Sequence, residues 1–132
     1  MTKVNYRIIY ADTDQMGVVY HANYLKYFEM LRGEVMREAG LSYRDFENEG
    51  FGLPVIEAHC EYKSSAKYDD VIEISGSVTE VKGLKMKFEC EIHCGDRLIC
   101  KGYTVHICIN KDGHPIRIPE KLMQLYEKSI VD

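Results

Sequence analysis

The stretch from Leu84 to Cys94 carries the plainest pattern in the chain. Leu84, Met86, Phe88, Cys90, Ile92 and Cys94 alternate with Lys85, Lys87, Glu89, Glu91 and His93. A period of two predicts a strand with one buried and one polar face. Gly95-Asp96 then supplies a tight hairpin turn into a long strand from Arg97 to Asn110, which ends in the turn-rich NKDGHP segment. Ile72, Ile74 and Val78 alternate within a strand from Val71 to Val81. Leu53 to Lys63 reads as a further strand, with Pro54 near its start or on a sheet edge because proline offers no ladder donor. Val4 to Tyr10 is a short β-rich run.

The period changes between Asn23 and Ala39. Tyr24, Phe28, Leu31, Val35 and Ala39 recur at steps of four and three, which places them on one face of a helix. Leu25, Tyr27, Met30 and Met36 widen that face, so the helix is expected to be largely buried. Asn23 is the expected N-cap and Gly40 the residue just past the end. Ser42 to Gly50 fits a short helix or a loop. Pro119 to Val131 predicts a C-terminal amphipathic helix with Leu122, Leu125, Tyr126 and Ile130 apolar. One long helix followed by hairpin-connected strands predicts an α+β fold, with an antiparallel sheet wrapped around the helix.

Length and charge narrow the classes. The 132 residues suit one domain spanning 1–132. A net charge of −4 disfavours general attraction to nucleic acid. No run approaches the ~18–20 apolar residues of a membrane span, and the N-terminal segment has no secretory apolar core. A cytoplasmic location is therefore expected. The five cysteines are odd in number and form no CxxC, so they are expected to be reduced, small apolar residues. Cys90, His93 and Cys94 lack the ligand pairs that close a structural zinc site, and no metal is assigned. Exposed strand edges and leftover apolar faces point to an oligomer.

The candidate chemistry lies in YADTDQMGVVYHANY, Tyr10 to Tyr24. Asp12 and Asp14 sit at the mouth of the predicted helix. The spacing Asp-x-Asp-x-x-Gly begins like a calcium loop, but Met16 and Asn23 fall where that loop needs ligands, so calcium is rejected. Gly17 permits close backbone approach. The amides that follow it lead into the helix, where unpaired N–H groups and the helix dipole favour negative charge. A carboxylate beside such donors has the parts for acyl transfer. The pair alone fits two turn-capping aspartates equally well. The other histidines, at 59, 93, 106 and 114, and the scattered lysines receive no assignment.

The segment from Tyr10 to Arg32 closely resembles the opening of the hotdog-fold acyl-CoA thioesterases, the 4-hydroxybenzoyl-CoA thioesterase type and its Tol–Pal-associated relatives. The matching positions are Tyr10, Asp12, Asp14, Gly17, Val19, Tyr20 and Tyr24. Glu61 to Ile74 is similar to a second family segment, although Ser65-Ala66 stands where the family commonly has Pro-Ala. The resemblance implies a hotdog fold and hydrolysis of an acyl-CoA to free acid and CoA. It implies that Asp14 is the catalytic carboxylate, as nucleophile or as general base, with His21 and Tyr10 at the site. Oxyanion donors are expected at the helix entry, around Gly17, Val19 and Tyr20 and towards His21, while Asp12 holds the loop. It implies no cofactor, coenzyme A being part of the substrate, and a homodimer or homotetramer. An acyl carrier protein as substrate carrier, or a non-catalytic acyl-binding or interaction module, are the alternatives.

Overall fold

A computed structural model describes the backbone of residues 1–131 and the side chains of residues 1–127, so the expected apolar role of Ile130 lies outside the described residues. The chain forms strands β1 (Thr2–Arg7), β2 (Val55–Tyr62), β3 (Val71–Lys82), β4 (Lys85–Cys94), β5 (Arg97–Ile109) and β6 (Pro115–Ile116). The helices are α1 (Asn23–Glu38), α2 (Tyr43–Asn48) and α3 (Glu120–Val131), with a 3-10 turn at Tyr10–Asp12. The sheet runs β1-β3-β4-β5-β2, antiparallel at every pairing, and β6 adds to β5. This is the α+β hotdog architecture: a long helix laid in the concave face of one sheet.

The alternation along β4 holds as expected. Met86, Phe88, Cys90 and Ile92 are buried, while Lys85, Glu89 and Glu91 are exposed. From α1, Tyr27, Phe28, Leu31 and Val35 join Ile72, Ile74, Phe88, Ile92 and Ile99 in the core. Residue size explains how closely the helix can lie. Thr2, Gly76, Cys90, Gly102 and Cys60 stand opposite one another across five strands. A Cβ on Gly76 would come within 2.8 Å of Leu31 Cδ2 on α1 and overlap the Glu89 carbonyl oxygen. A Cβ on Gly102 would overlap the His59 carbonyl oxygen. This row of small residues therefore lets the sheet curve and α1 settle into it.

Two local expectations need correction. The first strand starts and stops earlier than the β-rich run suggests. The Ile8 amide bonds to the Asp70 carbonyl and the Ile9 amide to the Asp12 carboxylate, so the chain turns out of the ladder after Arg7. Asn23 is not the cap of α1; that position falls on Ala22. The Asn23 side chain instead donates to the Asp12 carbonyl at 2.8 Å, tying the helix to the preceding loop.

Candidate active site at the entry to α1

Residues 13 to 19 form a small hairpin, closed by a bridge between Thr13 and Val19. At its tip the Asp14 amide donates to the Val18 carbonyl and the Gly17 amide to the Asp14 carbonyl. Gly17 has φ +80°, a left-handed conformation that glycine adopts without a Cβ penalty. The Asp14 carboxylate accepts the Met16 amide at 2.8 Å through Oδ1, an Asx turn that fixes its direction. Among the described residues, Oδ2 receives no protein donor, and the side chain is only half-buried. Asp14 is thus oriented but not saturated.

Asp12 is the opposite case. It is 1% exposed. Its Oδ2 accepts Tyr6 Oη at 2.8 Å and the Ile9 amide at 3.1 Å, and its Oδ1 accepts Lys26 Nζ at 2.9 Å. Burial alone would push its carboxyl up, but the hydrogen bonds from Lys26, the Ile9 amide and Tyr6 outweigh it and hold the group below the ordinary carboxylate range. Its carbonyl accepts from the Tyr20 amide and from Asn23. Asp12 therefore pins β1, the 3-10 turn and the start of α1 together, which is the loop-holding role expected of it.

The helix entry redistributes the expected donors. The Gly17, Val19 and Tyr20 amides already donate to the carbonyls of Asp14, Ala66 and Asp12. They cannot also receive an oxyanion, because each N–H makes one good bond. Among the described residues, the His21 and Ala22 amides have no protein acceptor. These are the donors left at the positive end of the α1 dipole.

His21 is exposed, with its ring 4.5 Å from that of Tyr20. Its carbonyl accepts the Tyr62 hydroxyl at 3.1 Å, which couples the helix entry to the end of β2. Tyr62 lies at the start of the second family-like segment, Glu61 to Ile74, in which the sequence alone marks no site residue. The Tyr10 ring is 72% exposed and stacks on Tyr68 at 3.8 Å with planes 4° apart. Among the described residues, no hydrogen bond joins it to Asp14 or His21. Asp14 thus lies in the hairpin that leads into the helix, His21 at the helix entry, and Tyr10 on a separate aromatic stack with Tyr68. Where the family commonly has Pro-Ala, the Ser65 carbonyl accepts from Arg97 at 2.6 Å, and buried Ala66 donates its amide to Tyr24 Oη and accepts that of Val19.

A cavity of about 670 Å³ opens between α1 and the sheet, and its lining includes Met30, Arg32, Leu53, Val55, Phe88 and His106. No residue of the Asp14 hairpin lines it. Buried His106 bonds to the Leu53 carbonyl through Nδ1 at 2.8 Å and to Thr104 Oγ1 through Nε2 at 2.9 Å. The carbonyl can only accept, so Nδ1 carries the proton and Nε2 accepts from the Thr104 hydroxyl. Burial and the nearby Arg32 charge pull the His106 pKa down to about 4, against the opposing Leu53 hydrogen bond. All five cysteines are free thiols, and among the described residues no cluster of three or more His, Cys, Asp or Glu side chains is placed to hold a metal. Among the same residues no helix is long and apolar enough to cross a membrane.

With this geometry in view, the sequence profile of the thioesterase-like superfamily matches residues 10–125. The chain belongs to that superfamily. It is 30% identical over 118 residues to the acyl-CoA thioesterase YbgC of Haemophilus influenzae, covering 88% of this chain and 87% of that protein. It is 30% identical over 105 residues to the acyl-CoA thioester hydrolase YbgC of Escherichia coli O6:H1, covering 79% and 78%. Among solved structures, the DHNA-CoA thioesterase from Staphylococcus aureus superposes with TM-score 0.90 at 31% identity, over 98% of this chain and 91% of that one. A protein from Aquifex aeolicus superposes with TM-score 0.92 at 29% identity, over 96% and 99%. The hotdog fold and the thioester-hydrolase class follow.

Proposed function

We propose that this enzyme hydrolyses an acyl-CoA thioester to the free acid and CoA at the entry to α1. The observation that carries the reading is an oriented, unsaturated Asp14 carboxylate in the hairpin that leads to the unoccupied His21 and Ala22 amides. In the general-base route Asp14 takes a proton from water, and the hydroxide adds to the thioester carbonyl. The oxyanion settles on the two amides, where one such donor contributes ~2.7–4 kcal/mol. Collapse breaks the C–S bond, and the departing thiolate takes up the proton. In the nucleophilic route Asp14 itself adds, expels the thiolate and forms an anhydride that water then opens. After a single turnover in ¹⁸O-water, label in the Asp14 carboxylate marks the nucleophilic route. His21 serves to orient water or the thioester, and Tyr10 with Tyr68 borders the entrance. No cofactor enters either route.

The likeness to two acyl-CoA hydrolases supports CoA rather than a carrier protein as the thiol. The decisive measurement is free-thiol release from a panel of acyl-CoAs with wild type and Asp14→Asn. The expected result is turnover in wild type that drops by at least about 100-fold in the variant, on the scale of losing a catalytic acid–base group. Full activity in Asp14→Asn would remove Asp14 from the chemistry. Release from acyl carrier protein alone would change the substrate carrier.

The working unit is a homo-oligomer in this reading. Among the described residues β2 is an edge strand whose one ladder partner is β5, and seven of its eight residues are exposed. Antiparallel pairing of two β2 strands about a twofold axis brings the Tyr62 end of one strand alongside the Val55 end of the other. The His21 entry of one copy then meets the cavity mouth of its neighbour, which reconciles a reactive hairpin with a cavity it does not line.

A further inference from the structure

We infer that the cavity under α1 selects acyl groups whose far end carries a carboxylate, and that Arg32 is the residue that reads it. The inference rests on the thioesterase reading for the identity of the ligand as an acyl group. Its physical basis is the state of the guanidinium. Arg32 projects from α1 into the cavity lining and is half-buried. Among the described residues, no carboxylate lies within 4.0 Å of it. Among the described residues the one hydrogen bond of the guanidinium is a long one, 3.4 Å to Thr104 Oγ1. Thr104 is held in turn by His106, so this contact is anchored from behind.

Nearby acids do not fill the gap. Glu34 lines the same cavity, but its carboxylate is held by Arg37 at 2.9 Å. Glu29 also lines the cavity and forms no ion pair with Arg32. A guanidinium has five donors, stays charged in proteins, and matches a carboxylate with two parallel bonds. A charge withdrawn this far from water is normally paired. Arg37 lines the cavity too but is paired with Glu34, and His106 is taken up by Leu53 and Thr104, while Met30, Leu53, Val55 and Phe88 offer apolar wall that suits a hydrocarbon chain. An apolar channel with an unpaired fork in its wall fits an acyl chain that ends in an acid.

The test has two arms. In the first, the Nε–H resonance of Arg32 is followed by NMR in the wild-type protein while suberic acid or octanoic acid is added. The expected result is a saturable shift with suberic acid and none with octanoic acid. Equal shifts, or none, overturn the inference, including the case in which a second copy's carboxylate already occupies the guanidinium. In the second arm, kcat/KM is measured for suberoyl-CoA and octanoyl-CoA in wild type and Arg32→Met. The wild-type ratio is expected to favour suberoyl-CoA by at least about tenfold, the scale of a charge-assisted hydrogen bond, and to fall to about one in the variant. An unchanged ratio overturns the inference. If neither ester releases thiol, the acyl-CoA panel decides the thioesterase reading separately, and the titration still decides the role of Arg32. If Arg32→Met does not fold, the wild-type titration stands alone.

Discussion

His106 is kept neutral by its surroundings, and that has a cost in acid. Its folded pKa of about 4 lies below the ~6.5 of an unperturbed histidine, so the unfolded chain binds its proton first as pH falls. The stabilisation is therefore fully present above about pH 6.5 and is lost as pH falls through 4. The gap corresponds to about 3 kcal/mol at most. Urea unfolding of wild type and His106→Gln across this window should show the wild type losing more stability than the variant. Parallel curves would mean that His106 contributes nothing to acid sensitivity. Nothing in the pattern around Val105 and Ile107 marks this histidine, because an alternating strand shows which face a residue takes and not what bonds it there. The two aspartates differ in the same way. The motif picks out both positions, but only the three donors around Asp12 and the single amide on Asp14 separate a pinned carboxylate from a ready one.

At the scale of elements, periodicity located every long strand and α1 within a few residues. The errors fall where side chains reach back to the backbone. β1 ends at Arg7 because Asp12 draws the Ile9 amide away, a capping contact of the 3-10 turn, three residues apart in sequence, that a strand period does not encode. Asn23 looks like a cap by type, yet its amide serves the Asp12 carbonyl. The amides expected to serve as oxyanion donors are engaged for a similar reason: Val19 and Tyr20 donate to partners set by tertiary folding. The glycines in mid-strand were equally silent. Gly102→Ala should destabilise the fold by about 1–3 kcal/mol, the range for overpacking a filled core, since its Cβ meets backbone rather than a movable side chain. Chemical denaturation measures this directly, and a neutral result would show that β2 can shift away from β5 at little cost.

At the scale of the whole molecule, the proposed assembly runs through the open edge of β2. The Lys63 amide bonds to the Ile99 carbonyl. Alternation along the antiparallel ladder then turns the Ala58 and Cys60 amides outward. Ala58→Pro removes one outward donor and leaves the β5 ladder in place. Sedimentation should show this variant shifted towards monomer, with thiol release falling in step if one copy's cavity serves another's Asp14. An unchanged sedimentation coefficient would place the interface elsewhere.

The row of small residues beneath α1 has one more consequence. Cys90, a member of the row, and Cys100, beside it in the sheet, are 2% and 0% exposed and carry free thiols, and burial pushes the Cys90 thiol up to about 12. Neither can meet a bulky disulfide reagent while the helix lies in its groove, and Cys90 cannot readily form the reactive thiolate there. Labelling of these sulfurs is therefore tied to the lifting of α1 from the sheet. The protein contains its own clock for that event, readable from the unmodified sequence with no probe attached.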